Sequence, residues 1–480
     1  MSTVRRVAGN LFSLFSGEVV SSALAFVITI VLARRLSDEG FGRLAFVQAT
    51  MVYFILAVDL GLSTFGIREI ARKPEHLPII SGQIISLRLL MAGIVAIPLA
   101  IGVIFWPMPQ EMRWLFGGSL LGLFAHALNP EFIFQGAERM AGVSAWRILV
   151  HLFYLLLIFF LVFDRGQLWI ITLLRASAEA FTLLLILVWA KSSSGFRLNL
   201  SWNPTLWRSY LRESLIMAAS VVAIKLYYTF DTLMLGIMDR PETVGWYQAG
   251  YKIILLFIGL AGIVQMAFGP VFSRSSKSES LESSVKMFAT VLYLAAILST
   301  SFLVFLKTEI IQILFGSMYT GSVQCLALLA ISMFFVFIST IFMAPLLFIG
   351  RQKDYLAIVM SGAILNIILN LLLIPKYSYN GAAVATIVSN FGMMLLSMRQ
   401  YYSITVQFHT ISYVSKWIIV FLLINLLIYW LLGSGVGPLA AALLLTFGIY
   451  SVFNYEYIRK IFGELRRIAS YFSEKRTCQK

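Results

Sequence analysis

Cysteine and histidine are scarce in this sequence, with two cysteines and four histidines among 480 residues. Cys325 lies in an apolar run and Cys478 in a distant basic segment, so we predict neither a disulfide framework nor a Cys/His metal site. The sequence also shows no glycine-rich phosphate loop and no Ser/His/Asp order. We therefore expect no catalytic residues, no metal cofactor and no enzymatic activity.

Charge is the second scarce feature. Charged residues make up 12% of the chain, whereas soluble domains carry about 25%. Hydrophobic residues make up 60%, and the mean hydropathy is +0.87, which predicts an all-α, polytopic membrane protein. The first apolar run follows Arg5 and Arg6 and is too long for a signal peptide, so we expect none.

Apolar runs between charged or turn-rich breaks predict about fourteen transmembrane helices in two parallel six-helix lobes plus two extra C-terminal helices. The predicted spans are 10–33, 43–66, 80–106, 112–135, 141–163, 167–190, 213–238, 243–272, 284–306, 321–348, 355–374, 379–399, 415–433 and 436–457. The corresponding division is an N-terminal lobe (1–190), a cytoplasmic linker (191–212), a C-terminal lobe (213–400), two further spans (401–457) and a basic tail (458–480).

Lysine and arginine are unevenly distributed between the two sets of alternate loops. Most fall in the set that includes both termini, so the positive-inside rule predicts a cytoplasmic-membrane protein with both termini in the cytoplasm. This placement also accounts for much of the net charge of +15 without a nucleic-acid partner. Apolar residues at helical spacing in the tail predict an amphipathic helix on the anionic inner leaflet.

Two pairs of loops indicate an internal repeat. The segment 32–42 resembles the segment 235–245, since in both a glutamate precedes a glycine by three residues at a turn between helices. The segment Phe134-Gln-Gly136 likewise resembles Phe348-Ile-Gly350. Each pair lies six spans apart, which predicts two lobes related by an axis along the membrane normal, with a cavity between them.

These segments, with Asp59-Leu-Gly-Leu, Gly66-Ile-Arg68-Glu69 and Val244-Gly245-Trp-Tyr247, resemble the bacterial polysaccharide (Wzx-type) flippases. That family belongs to the superfamily of multidrug, oligosaccharidyl-lipid and polysaccharide exporters. The resemblance covers essentially the whole chain. It implies movement of an undecaprenyl-pyrophosphate-linked oligosaccharide to the outer leaflet, with a glycan polymerase and a chain-length protein as partners.

Ionisable residues within the predicted spans supply candidate binding groups, because charges in the membrane normally face a protein interior or a water-filled cavity. Four cations are candidates for the pyrophosphate: Arg147, Lys225, Arg88 and Lys252. Three carboxylates are candidate protonation sites: Glu18, Asp59 and Glu131. The alternative is that these carboxylates are the counter-ions of nearby arginines. We interpret Arg175 and Glu179, one helical turn apart, as a structural ion pair.

A second cluster combines one carboxylate with neutral oxygen ligands. Asp231, Asn370 and Thr386 lie at similar depth counted from the outer ends of their spans, and Asn366 lies one turn from Asn370. Oxygen ligands suit a hard cation such as Na⁺, and the resemblance implies a cation site at the matching spans. Two alternatives remain open: a proton as the coupling ion, and simple amide packing between helices.

Aromatic residues near this cluster are candidates for stacking on sugar rings: Tyr227, Tyr228, Trp246 and Tyr247. Multidrug extrusion is the alternative function among transporters, and an intramembrane glycan polymerase or ligase is the alternative among enzymes. The membrane cations favour an anionic substrate over cationic drugs, and the short outward loops disfavour a polymerase.

Overall fold

The computed structural model describes residues 3–194, 200–274 and 278–403, so the predicted spans 13 and 14 and the basic tail lie outside the described residues. Within these ranges the chain forms α-helices joined by short loops and three 3-10 helices. The helices are α1 (Thr3–Asp59), α2 (Leu62–Arg72), α3 (Leu77–Phe105), α4 (Gln110–Ala127), α5 (Glu131–Gly136), α6 (Met140–Leu161), α7 (Ile171–Ser194), α8 (Pro204–Met238), α9 (Pro241–Arg274), α10 (Ser278–Phe305), α11 (Lys307–Leu314), α12 (Ser322–Phe348) and α13 (Gln352–Tyr402).

Nine helices in the described ranges are long and apolar enough to cross a membrane. The predicted all-α membrane fold is therefore confirmed, while the count of about fourteen spans stays a prediction. Helix α13 contains two predicted spans. Helix α1 contains the span 10–33 and the first part of the span 43–66, which breaks after Asp59 where Leu60 and Gly61 have positive φ. Each of these long helices is interrupted by one non-helical residue, Ser37 or Ser378.

The chain folds back at both interruptions. A methyl group on Gly381 would lie 2.4 Å from the carbonyl oxygen of Leu373, although a straight helix separates such residues by about 12 Å. In α1, Glu18 and Asp59 both reach the region where α4 gives way to α5, because Arg147 bonds Glu18 and Glu131 while Arg88 bonds Asp59 and the carbonyl of Asn129. A straight helix would hold Glu18 and Asp59 about 60 Å apart. Each long helix is thus a hairpin of two spans.

Prolines and a capping asparagine set two helix boundaries that differ from the predicted ones. The predicted span 112–135 is broken, with α4 ending at Ala127 and α5 beginning at Glu131, because Pro130 has no amide hydrogen to continue the helix. Helix α8 begins at Pro204, nine residues before the predicted span, since Asn203 accepts the amide hydrogen of Leu206 at 3.2 Å. Much of the predicted linker 191–212 is therefore helical.

The described chain divides into two compact units. The first comprises residues up to 256 with 311–329 and 356–389, and part of its core is formed by Leu62, Phe65, Ile84 and Phe132. The second comprises residues 257–310, 330–355 and the described residues from 390 onward, and is packed around the rings of Phe268, Phe272, Phe288 and Phe348. The division into lobes at residues 190 and 213 stays a prediction.

Within the first unit, the second half of α1 and helix α8 run antiparallel in contact. Gly236 faces the ring of Phe46, the hydroxyls of Tyr53 and Thr229 lie 3.1 Å apart, and Gly61 approaches the carbonyl of Ser214. A methyl group on Gly236 would lie 2.0 Å from that ring, so glycine is required for this close approach. This seam holds α8, and with it Lys225 and Asp231, against the N-terminal spans.

Candidate functional site

Asp231 is a buried carboxylate held by neutral hydrogen-bond donors from α9 and α13. Its side chain is 4% exposed and accepts hydrogen bonds from Tyr247 at 2.7 Å, from Thr386 at 2.9 Å and from the Asn370 amide. Asn370 also donates to Asn366 at 3.0 Å. The structure therefore brings together the four residues predicted to share a site, and adds Tyr247. We call these five residues the Asp231 cluster.

Two amide atoms in this cluster have no hydrogen-bond partner among the described residues. They are Oδ1 of Asn370 and Nδ2 of Asn366, both buried. A buried polar atom without a partner is costly, so its retention beside a carboxylate indicates that something else satisfies it. The carboxylate, two amide oxygens and two hydroxyls are the oxygen ligands that hard cations prefer, and an amide nitrogen of Asn370 also donates to the carboxylate.

Tyr247 corrects a prediction made from the sequence. It is fully buried and its hydroxyl donates to Asp231, so it cannot stack on a sugar ring. The indole N–H of its neighbour Trp246 donates a hydrogen bond to Asp38 at 3.0 Å, so this side chain is also held within the protein. Sequence reasoning missed the role of Tyr247, although a signal existed: Asp231 and Tyr247 are equidistant from Asp239, which ends α8 at the turn into α9.

Arg88 and Asp59 form a buried ion pair. The Arg88 side chain is 2% exposed, and it donates to Asp59 at 2.5 Å and to the hydroxyl of Ser63 at 2.7 Å. Ser63 in turn donates to Asp59 at 2.6 Å. In this conformation Arg88 is thus neutralised and shielded, and Asp59 serves as its counter-ion.

Arg147 lies between two carboxylates. Its Nε donates to Glu131 at 3.1 Å, and its terminal nitrogens reach Glu131 and Glu18. Nδ1 of His151, one turn along α6, lies 3.1 Å from the hydroxyl of Ser21 and 2.9 Å from the Arg147 carbonyl. The triad of Glu18, Arg147 and Glu131 joins α1, α5 and α6, and its side chains are 21–40% exposed.

Lys225 and Lys252 differ from these arginines. Among the described residues neither ammonium group has a carboxylate, hydrogen-bond or ring partner. Lys225 is exposed on α8, and Lys252 is partly buried on α9. An ammonium group on a membrane-spanning helix is costly unless it faces a cavity or meets an anion. Of the four predicted cations, the two lysines are therefore the ones without a carboxylate partner in the described part of the chain.

A cavity of about 350 Å³ lies among α1, α4, α6 and α7. Arg175 and Glu179 line it, and their ion pair at 2.8 Å confirms that part of the sequence prediction. The Arg175 guanidinium also lies over the ring of Tyr154, 5.4 Å from the centroid. The other lining residues are Gln48, Met51, Ile55, Ser119, Gly122, His126 and Thr172.

The two loops proposed as repeats meet each other, an arrangement that we call the loop contact. A methyl group on Gly42 would lie 1.7 Å from the carbonyl oxygen of Pro241, and one on Gly245 would lie 2.2 Å from that of Asp38. In the alignment of 32–42 with 235–245, Gly42 matches Gly245 and Asp38 matches Pro241. The contact is therefore reciprocal, as expected across a twofold axis. Tyr319 adds hydrogen bonds to the carbonyls of Ala33 and Ser37 at 2.8 and 3.0 Å.

Solved structures of low sequence identity share this fold. The lipid II flippase MurJ in an inward closed conformation is similar with a TM-score of 0.69 and 16% identity, over 91% of this chain and 99% of that one. An inward-facing multidrug resistance MATE family transporter is similar with a TM-score of 0.64 and 13% identity, over 82% and 97%.

Curated relatives point in the same direction. A protein of Escherichia coli (strain K12) assigned as an O-antigen transporter is 23% identical over 366 residues, which is 75% of this chain and 88% of the relative. A Haloferax volcanii flippase assigned to low-salt glycan biosynthesis is 22% identical, over 80% of this chain and 81% of its own length.

The family match confirms the resemblance drawn from the loop motifs. Residues 7–276, more than half of the chain, match the family described as "Polysaccharide biosynthesis protein". The chain is a multi-pass membrane protein and belongs to the polysaccharide biosynthesis protein family.

Proposed function

We propose that this protein flips an undecaprenyl-pyrophosphate-linked oligosaccharide from the inner to the outer leaflet of the cytoplasmic membrane. The observation that carries the proposal is the pair of membrane lysines, Lys225 and Lys252, which lack carboxylate partners among the described residues. A pyrophosphate supplies the anionic oxygens that an ammonium group binds by charge-assisted hydrogen bonds. The relatives' assignments to O-antigen transport and glycan flipping support the same substrate class.

The remaining predicted cations take different parts in this proposal. Arg88 does not contact substrate, because it is buried and paired with Asp59. Arg147 is partly exposed, and its excess of carboxylate neighbours makes the triad a proton-binding candidate rather than an anion site. Glu18 and Glu131 stay candidate protonation sites, whereas Asp59 is assigned as a counter-ion.

Energy coupling is assigned to the Asp231 cluster. Sodium is supported by the oxygen ligands of the cluster, because the carboxylate and the unpartnered Oδ1 of Asn370 are buried together with two hydroxyls. A proton on the same carboxylate is the other coupling ion that this geometry allows. Asp231 sits on the same helix as Lys225, so α8 joins the proposed substrate contact to the proposed energy source.

Alternating access is supported by the loop contact. The cytoplasmic placement of both termini that the positive-inside rule predicts would put this contact at the outer face, where its close approach would favour an outward-closed state. Movement of substrate then requires the contact to separate while the opposite end closes. In the cell, a glycan polymerase and a chain-length protein would receive the flipped product.

The test is a translocation assay in proteoliposomes containing a fluorescent undecaprenyl-pyrophosphate glycan, read by exposure of the glycan to a membrane-impermeant lectin. We expect the double variant Lys225→Ala/Lys252→Ala to translocate substrate more slowly than the parent, by about tenfold or more. Each substitution removes the hydrogen bonds between an ammonium group and the pyrophosphate, and hydrogen bonds between charged groups are the stronger ones. Lys353→Ala, at an exposed lysine in the first turn of α13, is the matched control. Unchanged translocation in the double variant would overturn the assignment of the lysines, and ethidium transport without glycan transport would favour multidrug extrusion instead.

A further inference from the structure

The cavity among α1, α4, α6 and α7 is not used by the lysines or by the Asp231 cluster. Its volume of about 350 Å³ is near the lower end of the range of about 300–1,000 Å³ for small-molecule sites. It would hold about a dozen water molecules at about 30 Å³ each. The space therefore suits a small polar ligand and is too small for a long chain.

The lining of this cavity is rich in hydrogen-bonding groups for a membrane-spanning bundle. Donors and acceptors come from Gln48, Ser119, His126, Thr172, Arg175 and Glu179. Arg175 uses its Nε for Glu179, and its two terminal nitrogens have no hydrogen-bond partner among the described residues. Paired guanidinium and carboxylate groups beside hydroxyls and an amide form an environment in which adjacent ligand hydroxyls both donate and accept hydrogen bonds.

Thr172 is the second, independent sign of a ligand. Its side chain is 9% exposed, and its Oγ1 is buried without a hydrogen-bond partner among the described residues. Threonine hydroxyls in helices commonly bond the carbonyl one turn back, as Thr182 on the same helix does to Ala178 at 2.8 Å. Thr172 forgoes that bond although its side chain lines the cavity. Its Oγ1 lies against Gly118 of α4, so a rotation about χ1 would bring the hydroxyl to a ligand in the cavity.

The cavity also lies near the proposed pyrophosphate contact. Thr229 lies one turn from Lys225 on α8, and its hydroxyl is 3.1 Å from that of Tyr53 on α1, whose neighbours Met51 and Ile55 line the cavity. A lipid-linked sugar carries its first ring directly on the pyrophosphate. Binding of the phosphates at Lys225 would thus present that ring to the cavity.

We propose that this cavity binds the first sugar ring of the lipid-linked oligosaccharide, through Thr172 and Arg175 inside and Gln48 at the exposed rim. The inference rests on the proposed function and extends it. The lysines bind the pyrophosphate that all such substrates share, and the cavity selects among the sugars attached to it. Substrate choice is thereby assigned to the N-terminal spans and substrate capture to α8 and α9.

The experiment measures equilibrium binding of the full-length protein in nanodiscs by microscale thermophoresis. The probes are undecaprenyl pyrophosphate alone and undecaprenyl pyrophosphate carrying N-acetylglucosamine, N-acetylgalactosamine or galactose. At least one sugar-bearing probe should bind the wild type more tightly than the bare lipid. Thr172→Val and Gln48→Leu should each weaken that probe about 3- to 10-fold and leave undecaprenyl pyrophosphate unchanged.

Thr182→Val is the matched control, because it makes the same change on α7 where the hydroxyl is already bonded. Gln48→Leu is exposed, so it keeps the test decisive if Thr172→Val folds poorly. Equal affinity for all four probes, or equal weakening of bare and sugar-bearing lipid by Thr172→Val, would overturn the sugar site and leave water as the occupant. Failure of the wild type to bind even undecaprenyl pyrophosphate would overturn the proposed function instead.

Discussion

The N-terminal spans differ from the helices α8, α9 and α13 in how their charged side chains are paired. In the N-terminal spans Arg88, Arg147 and Arg175 each bond at least one carboxylate. In the later helices Asp231 has only neutral donors, and Lys225 and Lys252 have no carboxylate partner among the described residues. The arginines of the first region thus have carboxylate partners within the protein, whereas the charges of the second have no charged partner among the described residues.

This difference separates a structural use of charge from a binding use. A buried ion pair offers little to a ligand, because breaking it leaves an uncompensated charge. A carboxylate held by neutral groups can exchange a cation, and a lysine facing a cavity can exchange an anion, at much smaller reorganisation cost. We therefore expect substitutions of Arg88 and Asp59 to affect stability, and those of Asp231, Lys225 and Lys252 to affect transport.

The largest expected effect is on stability, from Arg88→Ala. Removal of the guanidinium strands the Asp59 carboxylate in a site where Arg88 is 2% exposed, which should lower the free energy of unfolding by about 3–5 kcal/mol. The loss of stability is measured from the melting temperature of the detergent-purified protein, with size-exclusion chromatography to monitor the folded fraction. The double variant Arg88→Met/Asp59→Leu should recover part of it, and equal melting temperatures for the two variants would contradict the ion-pair account.

Gly42→Ala and Gly245→Ala should weaken the loop contact to a similar extent, although the two glycines lie in different repeats. Each methyl group would meet a carbonyl oxygen of the opposite loop, at 1.7 and 2.2 Å, which must push the loops apart at a cost of about 1–3 kcal/mol. Distances between spin labels on the two loops should lengthen in both variants. A shift in only one of them would show that the contact is not functionally symmetric.

Asp231→Asn should leave stability nearly unchanged and slow ion-driven transport about tenfold, which corresponds to about 1.4 kcal/mol. Tyr247 and Thr386, which both bond Oδ2, can still donate to an amide oxygen at that position, and Asn370 can turn its unpartnered Oδ1 toward the new amide nitrogen. The negative charge that would attract a cation is gone. The measurement is glycan translocation with and without sodium and proton gradients. The cation site would be excluded if the parent protein showed no dependence on either gradient.

The smallest effect is expected from Glu18→Gln. Arg147 keeps Glu131 as its partner, and the Glu18 side chain is 40% exposed, so the change should cost about 0–1 kcal/mol. Melting temperature and sodium-driven translocation should both stay close to those of the parent. A large loss of transport with unchanged melting would mark Glu18 as a protonation site and weaken the contrast between the two regions.

The fold class and the shared depth of Asp231, Asn370 and Thr386 could be predicted because both depend on lengths along helices. The rise per residue converts residue counts into depth, and the turns fix where counting starts. The partners of the charged side chains could not be predicted in the same way. Whether Arg88 faces Asp59 or a cavity depends on how each helix is rotated about its axis, which neighbouring helices determine. Tyr247 was misassigned for this reason, since its hydroxyl is directed to Asp231 within the protein.

The reciprocal approach of Gly42 to Pro241 and of Gly245 to Asp38 has a consequence for how such a chain evolves. Two identical half-length chains meeting in this way would form a homodimer with an isologous interface, and each mutation would appear twice. Fusion of the halves into one polypeptide removes that constraint. Proline and aspartate can then occupy matching positions, and an ion-binding carboxylate can arise on one side while arginine pairs stabilise the other. The asymmetry between the two regions is available only to the fused chain.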